Sequence, residues 1–215
     1  MLKKMDVFRN KILTWYNQNG RNFYWRRKSI SKYQKVLVEV LLQRTKAETV
    51  AKLLPGFISS YPSWRSIANT ELSALEDALK PFGLYRQRAK RLHSLSVEMV
   101  SRNGRLPRDY NSLIAIPMIG QYIAYSIMSV IHDQPYPMLD VNMARVLERY
   151  FGKRKKADIR YDPYLQELAF ELVNIENSRQ VNWAALDFAA LICKARNPKC
   201  DECNLKNSCL YYLKE

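Results

Sequence analysis

The sequence predicts an all-α protein, and three observations lead to that prediction. Apolar residues recur at steps of three and four through most of the chain, which is the spacing of one helix face. Only six glycines and nine prolines interrupt the 215 residues, and no Asn-Gly pair joins two alternating strand patterns. Hydrophobic residues make up 47% of the chain, enough to bury a full core in one or two domains.

Helical periodicity predicts ten helices separated by glycine, proline or polar turn residues: one that ends near Gly20, then residues 33–46, 49–61, 71–80 and 84–102, a short one from Asp109 or Asn111 to Pro117, then residues 121–132, 140–150, 164–176 and 179–193. Thr70 is expected to cap the helix over residues 71–80, which Pro81 ends. Pro55 is expected near a first helical turn, where a missing N–H is tolerated.

The chain is strongly basic, with 35 Lys and Arg residues against 20 Asp and Glu, a net charge of +15 and a pI near 9.7. A charge of this size predicts a polyanionic partner, either nucleic acid or an acidic membrane surface. No apolar run approaches the ~20 residues of a membrane span, and the cations do not crowd onto one amphipathic segment. The sequence therefore favours nucleic acid, and with no signal peptide visible we expect a cytoplasmic protein.

All four cysteines lie within 17 residues, spaced Cys193-x6-Cys200-x2-Cys203-x5-Cys209. Two disulfides would suit a short secreted domain, whereas four clustered thiolates without a signal peptide favour a metal. Structural zinc sites usually pair two short knuckles across a longer gap, but only the middle pair here is a knuckle. The spacing resembles the cluster loop of the endonuclease III and MutY DNA glycosylases. That resemblance implies that these cysteines hold a [4Fe–4S] cluster.

Residues 116–120, Ile-Pro-Met-Ile-Gly, lie between two expected helices. A hairpin at a helix N-terminus presents backbone N–H groups to a phosphate, although the pattern alone also fits a plain turn. With the cysteine loop downstream it resembles the helix–hairpin–helix of the same glycosylases, usually Leu-Pro-Gly-Val-Gly followed by two residues and Thr-Ala. Met118 replaces the first glycine and Ile123 the threonine. The resemblance implies DNA contacts from Met118, Gly120 and Gln121.

Tyr122 lies two residues after Gly120, where bifunctional members such as endonuclease III carry a lysine. A lysine amine attacks the sugar and forms a Schiff base, which a tyrosine cannot do. The resemblance therefore implies hydrolysis without lyase chemistry, with Tyr122 lining the catalytic pocket. From the residues alone, Tyr122 is an amphipathic side chain in a first helical turn.

Asp140 opens residues 139–147, Leu-Asp-Val-Asn-Met-Ala-Arg-Val-Leu, which resemble the family segment with the essential aspartate. Cleavage of an N-glycosidic bond builds positive charge on the sugar, and a fixed carboxylate stabilises that charge or orients the attacking water. An aspartate directly before a helix is also a favoured N-cap, and both roles are compatible. Asn142 is expected to contact DNA.

Glu39 lies inside the apolar run Val-Leu-Val-Glu-Val-Leu-Leu of residues 36–42. Burial there would raise the pKa of this carboxyl and keep a proton for a departing base. Alternatively, Glu39 belongs to a polar helix face and pairs with Lys35 on a solvated surface. The segment resembles Glu-Ile-Met-Leu-Gln-Gln-Thr of MutY enzymes and Glu-Ile-Leu-Leu-Arg-Arg-Thr of the Mig-type thymine–guanine mismatch glycosylases, which implies that Glu39 contacts the flipped base.

Two branches of the superfamily compete for this chain. Full-length adenine glycosylases carry an additional C-terminal domain, whereas this chain stops six residues after Cys209. Residues 83–89 resemble the Mig-type segment Gly-Leu-Ser-Asn-Gln-Arg-Ala more than the MutY segment, and Arg44 also matches the Mig-type branch, although Gln43 is MutY-like. We expect a monofunctional glycosylase for mismatched thymine or uracil opposite guanine. A MutY-like adenine glycosylase and a non-catalytic iron–sulfur DNA-binding protein are the alternatives.

The resemblance covers nearly the whole chain and implies a nucleoid-associated monomer that binds double-stranded DNA at a mismatch. It implies a six-helix barrel domain with the helix–hairpin–helix over residues 22–134, an iron–sulfur cluster domain from residues 1–21 and 135–215, and a DNA-binding cleft between them. Gln43 or Arg44 is expected to fill the space of the flipped base. The remaining residues that are expected to contact DNA are Leu84, Lys194, Arg196 and Lys199.

Overall fold

The computed structural model describes residues 2–214, and every regular element among them is helical, which confirms the all-α prediction. Short 3-10 turns join several of the helices. The α-helices of the described chain are α1 (Leu2–Asn19), α2 (Lys32–Leu42), α3 (Ala47–Ser60), α4 (Trp64–Ala68), α5 (Leu72–Leu79), α6 (Tyr85–Ser101), α7 (Tyr110–Ile114), α8 (Gln121–Val130), α9 (Val141–Phe151), α10 (Pro163–Val173) and α11 (Ser178–Leu191). None of these helices is both long and apolar enough to cross a membrane.

The described chain divides into two compact units. The first comprises the residues up to Arg21 together with those from His132 onward, and contains α1 and α9–α11. The second comprises Asn22–Ile131 and contains α2–α8. The resemblance implies a division after residue 134, three residues beyond the one observed.

In the first unit, α1 packs on α11, and α9 packs on α10 and α11. Phe8 and Tyr150 are buried at its centre, with ring centroids 4.9 Å apart in a tilted arrangement that aromatic pairs favour. Asp187 of α11 is completely buried and accepts hydrogen bonds from the main-chain N–H and the guanidinium of Arg21 at 2.8 Å. This charge-assisted pair holds Arg21, and with it the backbone that follows α1, against α11.

In the second unit, α6 packs on α4 and α5, and α2 packs on α3 and α8. The α2 helix begins with a capping box in which Ser31 and Gln34 satisfy each other's main-chain N–H groups. It ends at Leu42, four residues before the end that its periodicity predicts. Gln43 and Arg44 therefore lie on an exposed loop instead of the helix surface.

Two local predictions were wrong. Thr70 does not cap α5: its hydroxyl donates to the carbonyl of Ser66 at 2.6 Å, because α4 ends just before it, and Glu71 takes the N-cap position without a side-chain bond. Pro55 lies in the second half of α3 and not near its first turn. The short helix α4 carried too few residues for its periodicity to be recognised, although Ser63 and Ser66 form a capping box.

Candidate functional site

Asp140 lies directly before α9 and caps it. Its Oδ1 accepts the main-chain N–H groups of Asn142 at 2.9 Å and Met143 at 2.8 Å, and its Oδ2 accepts the side-chain amide of Asn142 at 2.5 Å. Burial raises the pKa of the Asp140 carboxyl, although these hydrogen bonds and Arg145 lower it in part. The predicted helix cap and the candidate catalytic carboxylate are the same side chain.

The segment that leads into Asp140 is fixed to α11. Asn182 of that helix is completely buried, and its Oδ1 accepts the main-chain N–H of Met138 at 2.7 Å. Its side-chain amide donates to the carbonyl of Tyr136 at 2.9 Å. Because a buried amide satisfied on both sides resists displacement, the backbone on the N-terminal side of Asp140 is held in place.

Arg145 links Asp140 to the cysteine loop, since it lies on α9 and reaches in both directions. Its Nη1 donates to the side-chain oxygen of Asn142 at 3.1 Å, which orients the amide that Asp140 accepts. Its Nε donates to the carbonyl of Cys193 at 2.8 Å, and its Nη2 to the carbonyl of Ala189 at 2.9 Å. The guanidinium therefore satisfies acceptors at the end of α11 and beside the candidate catalytic carboxylate.

The predicted hairpin precedes α8. Met118 has φ of 69°, so a non-glycine residue adopts the left-handed conformation that the family's glycine suits, and the hairpin keeps a tight turn despite the replacement. Gly120 caps α8 with an extended φ of −84°, and a Cβ there would meet nothing within 4 Å. Neither the backbone conformation nor a close contact therefore requires glycine at residue 120. The open space leaves the N-terminal N–H groups of α8 accessible to an anion.

Tyr122 lies in the first turn of α8 and is partly buried, while Ile123, which replaces the family's threonine, is buried in the core. Gln121 donates from its side-chain amide to the hydroxyl of Tyr125 at 3.2 Å. Met118 and Gly120 of the hairpin directly precede the helical turn that contains Tyr122.

Glu39 is buried in the last half of α2, with 8% of its surface exposed, between the buried residues Val38 and Val40. The alternative in which Glu39 lies on a solvated helix face is therefore wrong. Its apolar neighbours dominate over the polar periodicity of Lys35 and Gln43 because α2 is covered on most of its circumference. A buried carboxyl group at this position is suited to hydrogen-bond the edge of a base.

The four cysteines line one pocket, and none of them forms a disulfide. Among the described residues, no three His, Cys, Asp or Glu side chains are close enough to hold a single metal ion. Four soft thiols around one pocket fit an iron–sulfur cluster. The residues that would hold it are Cys193, Cys200, Cys203 and Cys209.

Positive charge surrounds these thiols. Arg149 of α9 donates to the Cys193 sulfur at 3.4 Å and to the carbonyl of Lys194 at 2.7 Å, and Lys199 and Lys206 also line the pocket. In the protein alone, burial raises the pKa of the Cys203 thiol to about 11, and the other three cysteines add to this effect. A thiolate there is favoured only with a positively charged partner, which iron ions provide.

A family model described as the HhH-GPD superfamily of base excision DNA repair proteins matches residues 37–170. The chain belongs to this superfamily. A second model, the iron–sulfur binding domain of endonuclease III, matches residues 193–209, which run from the first cysteine to the last. The protein is thus a DNA-binding base excision repair glycosylase with a [4Fe–4S] cluster, as the sequence predicts.

The similarity to known proteins covers almost the whole chain. A thymine/uracil-DNA glycosylase of Methanothermobacter thermautotrophicus is 35% identical over 99% of this chain and 96% of its own length. Another thymine/uracil-DNA glycosylase, from Pyrobaculum aerophilum, is 34% identical over 96% of this chain and 92% of its own. The solved structure of a thermostable thymine-DNA glycosylase is 34% identical, with a TM-score of 0.91 over 99% of this chain and 98% of that one.

In this glycosylase, two exposed loops carry side chains that are expected to contact DNA. Gln43 and Arg44 follow α2, and Arg44 has a left-handed φ of 57°. Leu84 precedes α6, is 52% exposed and has a φ of 49°. Two strained non-glycine residues with exposed side chains are more typical of a functional surface than of an ordinary turn.

The basic residues of the glycosylase's cluster loop differ in how free they are to bind phosphate. Arg196 is exposed, and Lys194 is half-buried. Lys199 is exposed but pairs with both oxygens of Glu202 at 2.9 Å. Such a surface pair is weak, so a phosphate can replace the carboxylate at little cost.

The predicted site residues are distributed over both units. Asp140 and Asn142 share the first unit with the cysteines and cations of the cluster loop. The second unit contains Glu39, Gln43, Arg44, Leu84, Met118, Gly120, Gln121 and Tyr122. Their roles remain predictions. Sequence reasoning missed Arg145 and Arg149 because their acceptors are main-chain carbonyls more than forty residues away, which leave no local pattern.

Proposed function

We propose that this glycosylase hydrolyses the N-glycosidic bond of thymine or uracil mispaired with guanine, and that it is monofunctional and leaves an abasic site. The substrate class is supported by the similarity of nearly the entire chain to two proteins named thymine/uracil-DNA glycosylase. The observation that carries the monofunctional chemistry is Tyr122 in the first turn of α8, because a lyase requires an amine at this position.

The partly buried Asp140 carboxylate is suited to stabilise the sugar during the reaction. Positive charge grows on the deoxyribose ring as the bond to the base breaks, and a carboxylate held by three hydrogen bonds stabilises that charge without reorganisation. Burial leaves the ionised form of Asp140 poorly solvated, which raises the pKa of this carboxyl. The ionised form is therefore stabilised by the positive charge that develops on the sugar. Asp140 also accepts a proton from the attacking water as that water adds to the sugar.

Glu39 and the exposed loops extrude and bind the mispaired base. A mispaired base costs less to extrude than a paired one, which gives the first selection for a mismatch. Arg44 or Gln43 occupies the vacated space and contacts the orphan guanine, and Leu84 separates the neighbouring bases. The flipped thymine or uracil meets the Glu39 carboxyl, which bonds the ring edge.

DNA phosphates bind where the protein offers N–H groups and cations. The N-terminus of α8 beyond Gly120 provides main-chain donors, and Lys194 and Arg196 provide charge. When bound, the cluster cross-links the four cysteines and so orders the loop that carries these cations. Hydrolysis transfers no electron, so holding this loop is the contribution that the reaction requires.

A base-release assay tests the proposal. The anaerobically purified protein is incubated with duplexes that contain T·G, U·G, A·G or A·8-oxoguanine, and strand cleavage is measured with and without alkali. We expect cleavage at T·G and U·G that depends on alkali, because hydrolysis alone leaves an intact backbone at the abasic site. Asp140→Asn should abolish release while DNA binding persists.

The other outcomes separate the alternatives. Gln43 matches the MutY segment and so favours the adenine alternative. Cleavage confined to the adenine duplexes would assign the protein to the MutY-like enzymes. Cleavage without alkali would mean that another amine attacks the sugar and would exclude the monofunctional mechanism. A well-folded, cluster-loaded protein that releases no base from any duplex would contradict the proposed substrate class.

A further inference from the structure

Arg88 is a buried cation in the second turn of α6, with 4% of its surface exposed. Its Nη1 donates to the main-chain carbonyls of Phe82 at 2.7 Å and Gly83 at 2.8 Å. Its Nη2 donates to the carbonyl of Gln43 at 2.6 Å and to the hydroxyl of Thr45 at 3.0 Å. One guanidinium therefore satisfies two acceptors before α6 and two after α2.

These acceptors belong to the two loops whose side chains we propose to enter the DNA stack. The α2 loop, residues 43–45, displays Arg44, and the α6 loop, residues 82–84, displays Leu84. Thr45 joins the loops a second time, because its hydroxyl donates to the carbonyl of Phe82 at 2.9 Å. Arg88 and Thr45 thus form a continuous hydrogen-bonded network between the loops.

The network also explains how strained backbone persists on an exposed surface. Arg44 and Leu84 both adopt left-handed conformations that non-glycine residues disfavour. Such conformations survive only where surrounding contacts over-determine them. The charge-assisted bonds from Arg88 reach the carbonyls of residues 43 and 83, each directly before a strained residue, and fix the peptide units that would otherwise relax.

We propose that Arg88 is a positioning residue that locks the α2 and α6 loops into one rigid wedge for base flipping. A buried arginine is costly, and an apolar side chain of similar size would fill the same space, so the guanidinium is not explained by packing alone. Its directed bonds set the spacing of Arg44 and Leu84 before DNA arrives. Preorganisation of this kind lowers the cost of entering the stack.

The role of Arg88 rests on the proposed glycosylase activity. The substrates are chosen so that a failure of the Arg88 proposal can be told apart from a failure of the activity proposal. Uracil is placed either opposite guanine in a duplex or in a short unpaired bubble, where the base is already unstacked. Single-turnover release of uracil is measured for wild type, Arg88→Met, Arg88→Lys and Thr45→Val. Amide hydrogen exchange of residues 43–45 and 82–84 is followed in the same proteins without DNA. Arg9→Met is the control.

Arg9 is a matched control because it is also buried and also bonds two main-chain carbonyls, those of Glu171 and Leu172, away from the predicted site residues. Arg88→Met should speed exchange in both loops together and lower release from the duplex at least about tenfold, with less than about twofold loss from the bubble. Thr45→Val should change both quantities in the same direction by less. Arg9→Met should affect both substrates equally.

Three results would overturn the inference: unchanged exchange in both loops, faster exchange in only one of them, or equal loss of release from duplex and bubble. If Arg88→Met does not fold, Arg88→Lys and Thr45→Val carry the same test, because each removes only part of the network. If wild type releases no uracil from either substrate, the proposed function fails, and the exchange data still decide whether Arg88 locks the loops.

Discussion

The Arg145 guanidinium donates to the main-chain carbonyl of Cys193 at 2.8 Å and, from another nitrogen, to the side chain of Asn142 at 3.1 Å. Since Asn142 donates in turn to Asp140, the first residue of the cluster loop is connected to the candidate catalytic carboxylate through two side chains. The helix α9 carries this connection within one unit of the fold. Any disturbance of the cluster loop therefore reaches the orientation of Asp140 by a short path.

Arg145→Lys tests this connection. A lysine keeps the positive charge but cannot bond Asn142 and the carbonyls of Cys193 and Ala189 together, so the Asn142 amide loses its orientation. Residues that orient metal ligands contribute about 10–100-fold to activity. Asn142 and Arg145 orient Asp140 in the same way, so we expect a loss of about 10–100-fold in single-turnover base release. Cluster content is measured by iron analysis in the same samples.

Arg149→Lys is the matched control for Arg145. Arg149 also holds the cluster loop, through Cys193 and Lys194, whereas the hydrogen bond to Asn142 comes from Arg145. It should reduce cluster retention yet change the rate per cluster-loaded molecule less than Arg145→Lys does. Equal losses in both variants, after correction for cluster content, would show that the path through Asn142 is unimportant.

Asp140→Asn should abolish base release and yet stabilise the protein at neutral pH. Asparagine remains a good N-cap, and it removes a carboxylate whose ionised form is disfavoured by burial. Because the folded-state pKa of Asp140 is raised, its contribution to stability is present below the unfolded pKa and is lost as pH rises through the folded pKa. Tm is measured as a function of pH.

The stabilisation by Asp140→Asn should therefore be largest at neutral pH and shrink toward zero as the pH falls and wild-type Asp140 becomes protonated. Asp140→Ala separates the cap from the charge, since it loses the cap as well, at a cost of about 1 kcal/mol. A stability difference between Asp140→Asn and wild type that stayed constant with pH would contradict the raised pKa.

Local sequence patterns predicted those parts of the protein that depend on local physics. Apolar periodicity located the long helices, and Asp140 was recognised as a cap because capping needs only the residues that follow it. The clustered cysteines indicated a metal for the same reason, and the resemblance of their spacing to the glycosylase loop indicated the iron–sulfur cluster. By contrast, the early end of α2, the burial of Glu39 and the bonds of Arg88 and Arg145 depend on distant carbonyls and on neighbouring helices, which no window of sequence contains.

Met118 offers a test of backbone strain in the hairpin. Its left-handed φ of 69° costs a non-glycine residue about 1–2 kcal/mol, whereas glycine adopts it freely. Met118→Gly also removes a partly buried side chain and loosens the unfolded chain, so Met118→Ala is the proper reference. We expect Met118→Gly to be more stable than Met118→Ala by about 1 kcal/mol in denaturant unfolding. An alanine variant at least as stable as the glycine variant would mean that the hairpin relaxes out of the left-handed conformation.

Tyr122→Lys should convert the hydrolase into a lyase. The substitution introduces an amine in the first turn of α8, where the positive end of the helix dipole lowers its pKa and leaves more of it as the free nucleophile. We expect strand cleavage without alkali and a covalent enzyme–DNA adduct that borohydride reduction traps. Gln121→Lys is the control, because it places the same amine on the adjacent residue, turned about a quarter of a helical turn away. Trapping by Gln121→Lys as efficient as by Tyr122→Lys, or trapping by neither, would show that residue 122 does not face the sugar.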